Sequence, residues 1–193
     1  MKIDILFLDN DLSDHEEYFD NQTIKEYCET HSFEGEKNQI LSVPPSYSKS
    51  QNLTFLVGLG ENKVDNNFYD IGTLIGSKIK SDAEIKFLNF EDEKSLIIDG
   101  ILYVQYKFNN YKSEDDSSIN NITFKDIDSS VNEIKKDSVF WVRDLINTPA
   151  LDKSPEEFIN KVKELVDSSD IDVEAYDKKW LEENNFGGVL GVG

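Results

Sequence analysis

Apolar positions along the chain switch repeatedly between a spacing of two and a spacing of three to four, which marks alternating strands and helices. Residues 2–8 (KIDILFL) are rich in Ile, Leu and Phe and read as a first strand. Thr23 and Glu26 have the spacing of a capping box for a short helix through Cys28, ending near His31. Residues 39–43 read as a second strand stopped by Pro44 and Pro45, with a loop over 46–52. Residues 53–57 form a buried-type strand running into Gly58, Leu59 and Gly60. The next helix, over about 66–80, carries Phe68, Ile71, Leu74, Ile75 and Ile79 on one face. Gly72 and Gly76 lie one turn apart on it, as expected for close packing on a sheet. Residues 83–90 read as a strand and 91–108 as a helix with a core stripe of Ile97, Ile101, Val104 and Phe108. Burying that stripe is worth at most about 6–12 kcal/mol. After a polar, acidic loop over 111–121, residues 121–127 alternate like an antiparallel or edge strand.

The stretch from 139 to 157 organises the rest. Ser130 and Glu133 predict the capped start of a long helix whose end is apolar nearly all round: Val139, Phe140, Trp141, Val142, Leu145 and Ile146, broken only by Arg143 and Asp144. Such a helix should be covered from both sides. Asn147, Thr148 and Pro149 stop it, because the residue before a proline is pushed out of the α region. Ser154, Pro155 and Glu157 then start a helix over 155–166. A strand over 171–175, a short helix over 178–183 and a glycine-rich, uncapped run over 187–193 complete the chain.

The fold class expected is therefore α/β: a mixed sheet with flanking helices over 1–128, a connector helix and hinge over 129–149, and an incomplete second α/β domain over 150–193. Arg143, Asp144, Asn147 and Pro149 are the hinge residues. Asn147 is expected to tie the helix end to the following loop.

The 193 residues carry 20 basic and 39 acidic side chains, a formal charge of -19. That field repels phosphate backbones and anionic lipid, so nucleic acid and membrane are excluded as expected partners. Arg143 is the only arginine and the lysines are scattered. Cys28 is the sole cysteine, so no internal disulfide is possible. With neither a signal-peptide pattern nor a long apolar run, the location expected is cytoplasmic. His15 and His31 lie in different polar segments, and neither an H-E-x-x-H nor a cysteine pair is present. Acid pairs such as Glu16 with Glu17, Asp115 with Asp116 and Glu182 with Glu183 read as solvated charge. Gly58 and Gly60 are a weak phosphate-loop candidate, since the third glycine of a G-x-G-x-x-G falls on Lys63.

Three segments resemble the leucyl aminopeptidase (cytosol aminopeptidase, M17) family. RDLINTPALDKSPEEF (143–158) is similar to its interdomain junction, LVGLG (56–60) to a first-domain strand end, and GILYVQYKFNNYK (100–112) to a first-domain helix. The resemblance implies a macro-domain-like first domain, the start of a catalytic domain, and a parent that removes amino-terminal residues from peptides. It also implies two divalent metal ions, zinc or manganese, in that parent, and a hexamer. No matched position is a metal ligand or catalytic residue of the family, so the chain alone is expected to be inactive, serving assembly and active-site access. The alternatives are a macro-domain-type ADP-ribose binding module, by fold analogy, and an assembly module without catalysis.

Overall fold

The computed structural model describes residues 1–9, 17–19, 21–61, 67–90, 93–111 and 120–192. Glu16, Lys63 and the pair Asp115 and Asp116, like His15 and most of the 111–121 loop, lie outside the described residues. The chain forms two compact units, Met1–Arg143 and Asp144–Gly193.

In the first unit, β1 (Lys2–Leu8), β2 (Ile40–Val43), β3 (Leu53–Gly58), β4 (Ala83–Phe87) and β5 (Ile122–Phe124) make one sheet in the order β2-β3-β1-β4-β5. Only β2 is antiparallel to its neighbour. The sheet is covered on both faces, which is why β1 has a nearly continuous apolar run. Ile3, Ile5, Phe7, Phe55, Val57 and Ile85 face α2 (Phe68–Lys78) and α3 (Lys94–Tyr103), whose Ile71, Ile75, Ile97 and Ile101 are fully buried. Leu6, Leu8, Leu56 and Val43 pack on the other face with Ile24 and Cys28 of α1 (Asn21–Thr30) and with Phe19 and Phe33.

Several local expectations are corrected. Helix α1 begins at Asn21, so Thr23 lies inside it, and Glu26 accepts from Gln22 Nε2 at 3.3 Å. Gly72 and Gly76 approach α3 rather than the sheet: a Cβ on Gly76 would lie 2.7 Å from the Ile101 carbonyl oxygen, and one on Gly72 would run into the Ile97 carbonyl. Gly100 of α3 meets the backbone of Tyr69 and Thr73 in return. Three glycines thus let two helix backbones touch. Helix α3 begins only after the left-handed Glu93 (φ 55°) and ends at Tyr103, beyond which Gln105 donates its amide to the Gly76 carbonyl oxygen at 2.9 Å. Ile97 and Ile101 of the expected stripe are buried, whereas Val104 and Phe108 fall outside the helix and are half-buried. Strand β5 is an edge strand but runs parallel to β4.

Helix α4 (Ser130–Asn147) crosses from the first unit to the second. The expected capping box is not formed: Asp128, two residues earlier, accepts the Ser130 N–H at 3.0 Å, and Glu133 pairs with Lys136 instead. The Ser130 N–H holds the exposed Asp128 carboxyl below its ordinary pKa. Nor is the helix covered all round: Phe140 is buried, but Val142 is 46% and Ile146 71% exposed.

In the second unit, Ala150–Asp152 is one 3₁₀ turn, followed by α5 (Pro155–Val166), α6 (Lys178–Glu183) and α7 (Gly187–Leu190). Ser154 caps α5 by accepting the Glu157 N–H at 3.2 Å, and Asp177 caps α6 by accepting the Trp180 N–H at 2.8 Å. Residues 171–175 are not a strand. No neighbouring strand among the described residues supplies the ladder that a strand requires. The glycine-rich run expected to be open forms a short helix, its first turn closed by Gly191 N–H to Gly187 O at 3.0 Å.

Candidate functional site

A densely bonded polar site in the first unit is the seat of α4 on α3. Asn132, buried one turn into α4, donates through Nδ2 to Asp99 Oδ1 at 2.6 Å and to Ser95 O at 2.9 Å. Lys135 closes on the other Asp99 oxygen at 3.2 Å. A buried carboxylate is costly unless paired, and here it has both a neutral and a charged partner. Four residues on from Asn132, Lys136 bonds Glu133 and Asp137. Burial disfavours its charged form, yet those two carboxylates together hold its pKa above the ordinary lysine value. Further along, Phe140 meets Tyr106 edge-on at 5.2 Å. Arg143 donates to the Tyr103 carbonyl oxygen at 2.8 Å, its guanidinium 5.3 Å from the centre of the Tyr106 ring. Positions 132, 136, 140 and 143 share one helix face, so one stripe of α4 makes the whole seat.

The expected hinge residues divide. Arg143 belongs to the seat just described. In the second unit, the Asp144 carbonyl oxygen accepts both the N–H of Thr148 (2.9 Å) and its hydroxyl (2.7 Å), closing the helix end. Lys153 donates to the Leu145 carbonyl oxygen at 2.6 Å, satisfying one of the acceptors that a helix terminus leaves open. Pro149 starts the 3₁₀ turn, with Asp152 N–H bonded to its carbonyl oxygen at 3.0 Å. Asn147 is the last helical residue and is exposed. Sequence reasoning missed Lys153, Asn132 and Asp99. For Asn132 the signal was available: a polar side chain in phase with Phe140 on the buried stripe.

Gly58 and Gly60 sit far from the hinge in sequence, where β3 meets the loop at 35–39. Gly58 N–H donates to Gln39 O (2.9 Å), Leu59 N–H to Leu8 O (2.8 Å) and Gly60 N–H to Gly35 O (2.9 Å). With those donors committed to backbone acceptors, the turn does not present the cradle of free N–H groups that a phosphate needs. A Cβ on Gly58 would lie 2.7 Å from the Gly35 carbonyl oxygen, and Gly60 has φ +72°, so close approach and a left-handed turn explain both glycines. Among the described residues no group of three or more His, Cys, Asp or Glu is placed to hold a metal ion. No helix among them is long and apolar enough to cross a membrane.

The geometry defines an α/β domain that seats a long helix leading into a second, helical unit. The chain is related to the cytosol aminopeptidase (M17) family. The family's catalytic-domain model matches residues 140–193. The probable cytosol aminopeptidase of Tropheryma whipplei is 29% identical over 173 residues, covering 82% of this chain and 34% of that protein. The probable cytosol aminopeptidase of Mycobacterium leprae is 31% identical over 112 residues, 51% of this chain and 21% of that one. The crystal structure of the cytosol aminopeptidase from Coxiella burnetii matches the fold with a TM-score of 0.70 at 23% identity, over 95% of this chain and 39% of that chain. The bottromycin maturation enzyme BotP, solved in complex with Mn, matches at 0.68 and 14% identity, over 94% of this chain and 39% of its own. The chain thus spans about a third of the length of the first of these curated relatives.

Proposed function

We propose that this chain is the amino-terminal portion of a metal-dependent aminopeptidase that releases amino-terminal residues from peptides. Residues 1–128 are its non-catalytic domain, 129–149 its connector and 150–193 the start of its catalytic domain. One observation carries the reading: the catalytic-domain match begins at residue 140, inside α4, and so includes only the last two turns of that helix and the residues after it. In this reading the parent works with two divalent ions, zinc or manganese, while among the described residues no group of three or more His, Cys, Asp or Glu is placed to hold one. The role of this portion is architectural. By fixing α4 through Asn132, Lys135, Phe140 and Arg143, the first domain supports assembly, as a hexamer, and access to the active sites of a cytoplasmic enzyme.

Two measurements test this. The purified 193-residue chain, supplied with manganese or zinc, is expected to leave leucine p-nitroanilide intact; turnover would overturn the non-catalytic assignment. The intact mass of the native protein in its source cells is expected well above 22.1 kDa. A native mass of 22.1 kDa would overturn the peptidase parent.

A further inference from the structure

Helix α1 covers only part of its sheet face. Beside the amino-terminal half of β1 the inward-pointing leucines give way to a polar platform: Lys2 lies in register with Glu84, Glu84 with Thr123, and Asp4 with Lys86. On this platform lies a concavity of about 170 Å³ whose lining includes Asp4, Ser50 and Asn52, the lysines Lys2, Lys86 and Lys125, and Glu84, 4.0 Å from Lys2. Asp4 is only 3% exposed. Its Oδ2 accepts from Ser50 Oγ at 2.5 Å and Asn52 Nδ2 at 3.2 Å, while its Oδ1 has no hydrogen-bond partner among the described residues. Lys86 and Lys125 likewise form no ion pair there, in a protein whose formal charge is -19. The pocket therefore makes two demands of a ligand. The accessible Asp4 carboxylate oxygen, which has no protein donor among the described residues, takes a cationic donor, and two exposed ammonium groups take an anion.

We propose that this concavity binds a free α-amino acid as its zwitterion, the ammonium on Asp4 Oδ1 and the carboxylate between Lys86 and Lys125. A simple anion would leave the Asp4 oxygen unmatched and bring a further negative charge toward it, and a simple amine would add a fourth cation beside three lysines. A zwitterion meets both demands with no net charge. The size of the concavity suits a small side chain. The site stands whether or not the parent is a peptidase, although an amino acid is what such an enzyme would release.

The experiment is a titration of the ¹⁵N-labelled chain with L-alanine, followed by amide shifts of residues 4, 50, 52, 86 and 125, at constant ionic strength. Saturable shifts confined to these residues are expected. N-acetyl-L-alanine and L-alaninamide, each lacking one charge of the pair, should bind about 10-fold or more weaker, as expected for loss of a charge-assisted hydrogen bond. Lys125→Ala, an exposed position, should weaken alanine similarly while leaving the remaining spectrum unchanged. Equal affinity for N-acetyl-L-alanine would reduce the site to an anion site and overturn the proposal. So would shifts that stay linear in ligand, or that persist in the Lys86→Ala, Lys125→Ala double variant.

Discussion

At Gly72 the two central helices of the first unit are so close that a single added methyl has nowhere to go: its neighbours are the carbonyl and Cα of Ile97, which are backbone and cannot swing aside. Gly72→Ala should therefore destabilise the chain by about 1–3 kcal/mol through overpacking, despite alanine's better helix propensity. Gly188, in α7, has nothing within 4 Å of its would-be Cβ. Gly188→Ala should be neutral or stabilising by up to about 1 kcal/mol. Urea unfolding of the two variants, side by side, checks whether contact rather than helix propensity sets the cost. Cys28 offers a second test on the same scale. Buried against Leu6 and Leu8, with Glu29 adjacent, its thiol is pushed up to about 11, first by desolvation and then by that carboxylate. Since the thiolate is the nucleophile, a raised pKa leaves almost none of it at a pH of about 8. Iodoacetamide should label the native chain far more slowly than the urea-unfolded chain, and equal rates would show that α1 does not shield this face.

Helix α4 is attached by polar as well as apolar contacts. Asn132→Ala removes the neutral partner of Asp99 and leaves a buried carboxylate oxygen unsatisfied, a loss of about 1–3 kcal/mol in urea unfolding. Asn132→Asp should cost more at neutral pH, because it sets a second carboxylate against the first, and should recover partly as acid neutralises one of the two. An Asn132→Asp variant as stable as Asn132→Ala at neutral pH would mean that the pair does not hold the helix. Whether an element is legible in the sequence depends on where its information resides. Strands β1 and β3, and helices α5 and α6, are encoded locally by apolar runs and by the caps Ser154 and Asp177, and they lie at or within a residue of their expected places. Elements were misread where a non-local partner decides. Gln105, two residues past α3, bonds a carbonyl 29 residues away, and residues 171–175 have strand-like composition without a strand among the described residues to pair with, whereas at α4 the competitor is local, Asp128 accepting the Ser130 N–H. The seat of α4 was legible only as a stripe. Its apolar member Phe140 stood out and Asn132 shares its phase, whereas Asp99 signifies nothing until two helices bring the pair to 2.6 Å.

Across the whole molecule, burial is divided unequally between the two units. Every residue with a side chain in the core lies in Met1–Arg143, and none of the described residues from Asp144 onward is buried. Helix α5 carries Phe158 and Leu165 at 42% and 57% exposure, Ile171 is 62% exposed, and Leu151 is 97% exposed. Caps such as Ser154 contribute about 1 kcal/mol each, which offsets little of the entropy of ordering a dozen residues. Local helix signals therefore specify α5–α7 without a core to make them persist. Hydrogen exchange provides the test. Amides of β1, β3 and α3 should exchange only through global opening, while those of α5 and α6 exchange orders of magnitude faster and lose protection first as denaturant is added. The same uncovered apolar positions should bind a hydrophobic dye under native conditions. If α5 amides prove as protected as those of β1, the second unit has a stabilising partner in solution, and concentration-dependent sedimentation would then identify a second copy of the chain as that partner.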